Sequence, residues 1–306
     1  SLLGGSYNLK YLDLSRRKIY KNSFETLTKL KNLKYLNLES TNINEQELEK
    51  IGKMNNLSYL NTNYTQINNG LKYIQKLKNL KFLHYPYQED LEKDGYEHIK
   101  KLKKLVLLDF YNSSLKYEAS SDLLKSISSL KNLISLDLFR IDIKKDDYKL
   151  INRMRKLEYL NLGKSEIGDG LIFLKDLNNI VILLLVKAKI NNPIKNIKFF
   201  KKLKVLNLWG ANINNDDLRD LSELKLLTHF SIPYTSINDK GLKYINELKN
   251  LIYLDLRFTN ITNKSVGFLN EMTSLKFLNL SGTRVKYDKI SELRKRFPKK
   301  KIFFSP

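Results

Sequence analysis

Leu251-Ile252-Tyr253-Leu254-Asp255-Leu256-Arg257-Phe258-Thr259-Asn260-Ile261 decides the fold. Leucines stand at the first, fourth and sixth positions of this stretch, a threonine at the ninth and an isoleucine at the eleventh. Leu33-Lys34-Tyr35-Leu36-Asn37-Leu38-Glu39-Ser40-Thr41-Asn42-Ile43 repeats the pattern. Twelve copies begin at Leu9, Leu33, Leu57, Leu80, Leu105, Leu133, Leu157, Ile180, Leu203, Leu227, Leu251 and Leu275, 23 to 28 residues apart. Chance apolar runs do not hold register over eleven intervals, so the chain is an array of repeats.

Each copy changes period midway. Leu36-Asn37-Leu38 alternates, as a half-buried strand does. Leu48, Ile51 and Met54 then follow at intervals of three, among Glu, Lys and Asn, which predicts a short helix. One strand-turn-helix unit cannot bury its apolar side alone, and stacked units share one continuous core. The expected fold class is an α/β solenoid, a curved horseshoe with a parallel sheet on its concave side and helices on its convex side. Residues 1–306 read as one domain, with the first strand near residue 9. A cap is expected over 286–306, where Ile290, Leu293 and Phe297 form an amphipathic turn, Pro298 stops it and Ile302 to Phe304 add an edge strand. No such cap precedes Leu9, which predicts upstream residues or an unusual cap.

The pattern resembles the leucine-rich-repeat family, L-x-x-L-x-L-x-x-N-x-L, over roughly residues 9 to 285. At about 24 residues per repeat it is similar to the ribonuclease-inhibitor-like and bacterial classes. The family's asparagine is replaced by Thr41, Thr65, Ser113, Ser165, Ala188, Ala211, Thr235, Thr259 and Thr283. Thr and Ser can bond the turn backbone through a hydroxyl; Ala188 and Ala211 cannot.

In strand geometry positions 1, 4 and 6 face the core, and positions 3, 5, 7 and 8 face outward on the concave side. Fourteen of those 48 outward positions are aromatic, against 11% of the whole chain, an enrichment typical of interface centres. The position-3 rings (Tyr11, Tyr35, Tyr59, Phe82) read first as a ladder that stabilises the sheet. Positions 7 and 8 read as binding: Tyr64, Tyr87, Tyr111, Phe139, Trp209, Tyr234 and Phe258. Beside them stand Arg140, Tyr159 and Arg257. Position 5 is Asn or Asp in nine repeats, and Leu184 interrupts it. With Ile182 and Val186, Leu184 forms an apolar patch that is either a hot spot or a locally inward-rotated strand.

The net charge of +23 raises polyanions as partners. Yet the outward positions hold five basic residues (Arg16, Arg140, Lys164, Lys187, Arg257) and five acidic ones. The excess is therefore expected on helices, edges and termini.

No cysteine is present, which excludes disulfides and thiolate chemistry. His84, His98 and His229 do not share a site, and no HExxH, GxSxG or phosphate-binding glycine loop occurs. Asp146-Asp147 and Asp216-Asp217 fall at helix starts, where they cap free amides. No enzyme, cofactor or metal is expected. Nor is there a transmembrane run or a visible signal peptide.

The leading function is a protein-binding module of monomeric form that holds its partner on the concave face, in the general style of bacterial internalins. Binding of nucleic acid, acidic lipid or another polyanion through the basic convex surface is the alternative. The Lys, Asn and Ile excess, and the sequons Asn63-Tyr64-Thr65 and Asn279-Leu280-Ser281 on the concave face, favour a bacterial protein, secreted or on the cell surface rather than cytoplasmic.

Overall fold

A computed structural model describes residues 8–20, 23–67, 69–86, 95–110, 117–190, 194–299 and 301–305. They form two compact units, residues 1–157 and 158–306. In the first unit the strands are β1 (Tyr11–Asp13), β2 (Tyr35–Asn37), β3 (Tyr59–Asn61), β4 (Phe82–His84), β5 (Leu107–Asp109) and β6 (Ser135–Asp137). In the second they are β7 (Tyr159–Asn161), β8 (Ile182–Leu184), β9 (Val205–Asn207), β10 (His229–Ser231), β11 (Tyr253–Asp255), β12 (Phe277–Asn279) and β13 (Lys301–Phe303).

Within each unit neighbouring strands pair in parallel and in chain order. The register joins like positions: Tyr11 to Tyr35 to Tyr59 to Phe82, and Ile182 to Val205 to His229 to Tyr253 to Phe277. The leucines set this register. Leu36, Leu60, Leu206 and Leu254 are fully buried at the middle of their strands, and a one-residue slip would turn each of them out to solvent.

The turns after the strands draw on four bonds. The position-5 side chain accepts from the position-7 amide, as Asn207 Oδ1 does from Trp209 N–H at 3.0 Å and Asp137 Oδ1 from Phe139 N–H at 2.9 Å. The position-8 amide donates to the position-7 carbonyl of the next repeat: Tyr234 to Arg257 at 2.9 Å, Phe258 to Ser281 at 2.9 Å. The position-9 hydroxyl donates back to the position-6 carbonyl, as Thr259 does to Leu256 at 2.6 Å. The position-9 amide also returns to that carbonyl. At Ala188 and Ala211, which have no hydroxyl, the position-9 amide is what returns to the position-6 carbonyl, at Leu185 and Leu208. Asn212 adds a clamp there, accepting from Ile190 N–H at 2.6 Å and donating to its carbonyl at 3.0 Å.

The crossovers are short helices. Apolar intervals of three suit a helix with three residues per turn, which lines up residues i and i+3. Asn215–Glu223 is accordingly a 3₁₀-helix that buries Leu218 and Leu221. Asn214 caps it, with Asp217 returning a bond to the Asn214 amide, the role expected of the Asp pair. The 28-residue repeat from Leu105 to Leu133 holds the longest helix among the described residues, Tyr117–Ile127. At the end, Tyr287–Arg296 buries Ile290 and Leu293, and β13 pairs with β12. That edge strand begins at Lys301, one residue before the expected start, because its register is set by Ile302 facing Leu278.

Core leucines and turn asparagines should separate by size of effect. Leu206→Ala leaves a cavity and is expected to cost about 2–5 kcal/mol. Asn207→Ala removes one side-chain bond and is expected to cost about 1 kcal/mol. Urea midpoints measure both, and an equal loss at the two positions would refute this ranking.

Candidate functional site

The open face of the second unit's sheet gathers the largest expected cluster. Trp209 leaves β9 with its amide held by Asn207 and its side chain half-buried. The Lys187 ammonium lies 4.6 Å from the Trp209 ring centre. Gly210 makes room for this: a Cβ there would lie 3.0 Å from Lys187 Cγ, and its φ is +64°. Tyr234 meets the Trp209 ring edge-on at 5.9 Å, and Phe258 stacks on Tyr234 at 4.4 Å. Phe258 in turn covers Gly282, where a Cβ would approach Cδ1 of Phe258 to 2.4 Å. Lys187, Trp209, Tyr234 and Phe258 thus form one stripe across consecutive repeats, seated on two glycines.

Tyr234 remains 52% exposed and Phe258 48%. Their backbones have φ of +57° and +52°. Bulky residues seldom adopt this left-handed conformation, which costs about 1–2 kcal/mol without a Cβ-free residue. The turn imposes it, because only there does the position-8 amide point at the next repeat. Arg16, Ser40, Tyr64, Arg140, Lys164 and Lys187 stand in the same conformation.

The Arg257 side chain is 42% exposed. It lies on Asp255, with Nε 3.0 Å from Oδ1 and Nη2 2.8 Å from Oδ2. Asp255 is 1% exposed, and its bonds to Arg257 push the guanidinium pKa further up. The pair neutralises itself. Ile182, Leu184 and Val186 are half-buried beside the stripe. β8 keeps regular register with β7 and β9, so Leu184 lies between Asn161 and Asn207 and the strand is not rotated inward. Tyr159 is half-buried opposite Ile182.

In the first unit Tyr64 is 54% exposed, Phe139 half-buried and Arg140 exposed. Tyr87 and Tyr111 lie outside the described residues. The position-3 rings stack along the sheet, closest at Tyr35 and Tyr59, 4.1 Å apart. Burial, then the neighbouring Tyr35, pushes the Tyr59 phenol above its ordinary pKa.

Three participants were not singled out from the sequence: Lys187, whose position-8 place had counted only as charge, and the seating glycines Gly210 and Gly282. The readable signal was a glycine one repeat away from a bulky position-8 residue. His84 and Asp109 also went unpaired, although both hold position 5 of consecutive repeats; Nδ1 and Oδ2 are 2.8 Å apart.

Several helix-side cations are matched with acids: Lys72 with Glu45 at 2.5 Å, Lys125 with Asp122 at 2.9 Å and Lys198 with Asp220 at 3.4 Å. Among the described residues no three His, Asp or Glu converge as a metal ion would require, and no helix is long and apolar enough to cross a membrane.

A comparison with curated protein sequences finds no match. Solved structures share the fold. An internalin from Listeria monocytogenes is 19% identical with a TM-score of 0.72, over 97% of this chain and 87% of that one. A leucine-rich-repeat protein from Leptospira interrogans is 21% identical with a TM-score of 0.65, over 97% and 90%. The mouse RP105/MD-1 complex contains a chain 17% identical with a TM-score of 0.71, over 96% and 54%. The model of the family described as "Leucine-rich repeat region" matches residues 2–169. With more than half its residues inside that match and the same repeat continuing beyond it, the chain belongs to the leucine-rich repeat family.

Proposed function

We propose that the chain is a non-catalytic protein-binding module, and that its second unit holds a protein partner on the Trp209–Tyr234–Phe258 stripe. The observation that carries this reading is the pairing of strain with exposure. Tyr234 and Phe258 occupy left-handed turn positions, yet about half of each side chain stays in water. Glycine fills the same position at 210 and 282. Fold stability alone would favour glycine in all four places. Backbone strain kept at exposed aromatic positions is a mark of functional surface.

The stripe is also prepared for binding. Ring-on-ring contacts fix the side chains before a partner arrives, so little rotamer freedom remains to be lost. Half-buried Ile182, Leu184 and Val186 extend the apolar surface. Arg257 supports it indirectly, by neutralising Asp255. The mouse RP105/MD-1 complex supports the reading as a similar fold found in a complex. Similarity to repeat proteins from Listeria and Leptospira, with the Lys- and Asn-rich composition, supports a bacterial source and a place outside the cytoplasm. Carboxylates matched with helix-side lysines weigh against the convex surface as the main polyanion site.

A Trp209→Ala, Tyr234→Gly, Phe258→Gly variant separates binding from folding. Relief of left-handed strain offsets lost stacking, so its urea midpoint should stay within about 1 kcal/mol of wild type apart from the Trp209 truncation. Capture of the partner from host and self lysates should survive about 500 mM salt for wild type and vanish for the variant. The isolated partner should lose about 2 kcal/mol or more of affinity, roughly thirtyfold. Equal capture by both proteins would sink the reading.

A further inference from the structure

We infer that the first unit carries a second binding surface, a lysine rail for a linear phosphate polymer, along the edge where its strands begin. This inference does not depend on the aromatic stripe.

Six lysines define the rail. Lys34 and Lys81 immediately precede β2 and β4, where the backbone ladder runs Lys34 to Lys10, Ser58 to Lys34 and Lys81 to Ser58. Lys78, Lys103, Lys104 and Lys131 occupy the turns that enter β4, β5 and β6. All six are exposed. Lys78, Lys103 and Lys131 hold the same position, two residues before the first leucine, in three consecutive repeats, which stack at the strand spacing of about 4.8 Å; Lys34 and Lys81 share another, with Ser58 between them.

These cations keep their charge uncompensated. Lys78 bonds the Gln75 carbonyl, Lys103 the Ser129 hydroxyl, Lys104 the Asn79 side-chain oxygen and Lys131 the Ser128 carbonyl, all neutral partners. Among the described residues no carboxylate pairs with any of the six. Helix-side lysines of the same unit behave differently: Lys72, Lys100 and Lys125 each sit on a carboxylate. The residues at the turn and strand-entry positions of this unit include no Asp or Glu. Lysines without a carboxylate partner thus recur from repeat to repeat along this edge.

The shape of the rail selects its occupant. It is one or two lysines wide. A thin chain of phosphates can follow so narrow a row of cations along its length, whereas a flat anionic bilayer needs a broad basic face. Base stacking is also disfavoured, because Tyr35 and Tyr59 have turned their faces to each other. The rail therefore reads charge along a phosphate backbone, without sequence.

The test uses the full chain and sodium polyphosphate, titrated from about 50 to 300 mM salt. Wild type should bind with a steep salt slope. Lys78→Gln, Lys81→Gln, Lys103→Gln, Lys104→Gln together should flatten that slope by about 3 to 4 and weaken binding at least about tenfold. Lys50→Gln, Lys72→Gln, Lys100→Gln, Lys125→Gln on the helices remove the same charge and should change the slope by less than about 1. The Trp209→Ala, Tyr234→Gly, Phe258→Gly protein should bind polyphosphate as wild type does. If the rail variant misfolds, Lys34→Gln with Lys131→Gln makes the same comparison at half the charge. Equal losses from rail and helix variants would reduce the effect to net charge and overturn the rail. Orthophosphate competing as well as the polymer per phosphate would overturn it too. So would vesicles with roughly one-third phosphatidylglycerol binding more tightly than polyphosphate, since a bilayer would then be the occupant.

Discussion

The amide at the eighth position of each repeat must reach a carbonyl of the next repeat, and the remaining structure is arranged around that bond. At Lys187, Gly210, Tyr234, Phe258 and Gly282 the donor–acceptor distances run from 2.6 to 2.9 Å. Aiming the amide along the stack requires a left-handed backbone, with φ between 52° and 68° at these five residues. That backbone fixes where the side chain leaves the turn, so bulky residues at this position line up across the repeats. Register of the buried leucines, the Asx bond from position 5 and the hydroxyl bond from position 9 all keep this one amide in place.

Much of this was legible because a repeat turns spatial adjacency into arithmetic. Residues 23 to 28 apart in sequence are neighbours in space, so counting alone placed Tyr35 beside Tyr59 and Trp209 beside Tyr234. The buried set, the alternation and the terminal cap followed from the same count. Position 5 was legible as a pattern but not as a role. Its Asn and Asp serve the turn backbone, and Leu184 is a repeat that does without that bond.

What the count could not supply was conformation inside a repeat. Nothing in Arg257 says that it folds onto Asp255 two residues away, since a guanidinium can serve its own strand or a partner equally well. Whether a lysine is matched depends on the rotamers of carboxylates one turn or one repeat away. The sum of +23 therefore hid a difference in partners: several helix lysines meet acids, and strand-entry lysines of the first unit meet neutral groups. The seating glycines were visible as letters, but their purpose depends on which ring leans over them.

Within a repeat, charge at the strand entry is also kept electrically apart from the turn. Within any one repeat the strand-entry residue and the position-8 residue are six positions apart, about 20 Å if extended and less through the turn. The Debye length at physiological ionic strength is about 8 Å. A lysine at the strand entry therefore adds little field at the turn of its own repeat. Between them stands position 5, which in Asp13, Asp109 and Asp137 places a carboxylate where the fold needs an acceptor, and in Asp255 one that Arg257 neutralises. An open face built this way can present aromatic surface to a partner without drawing every polyanion to it, although the chain as a whole is strongly basic.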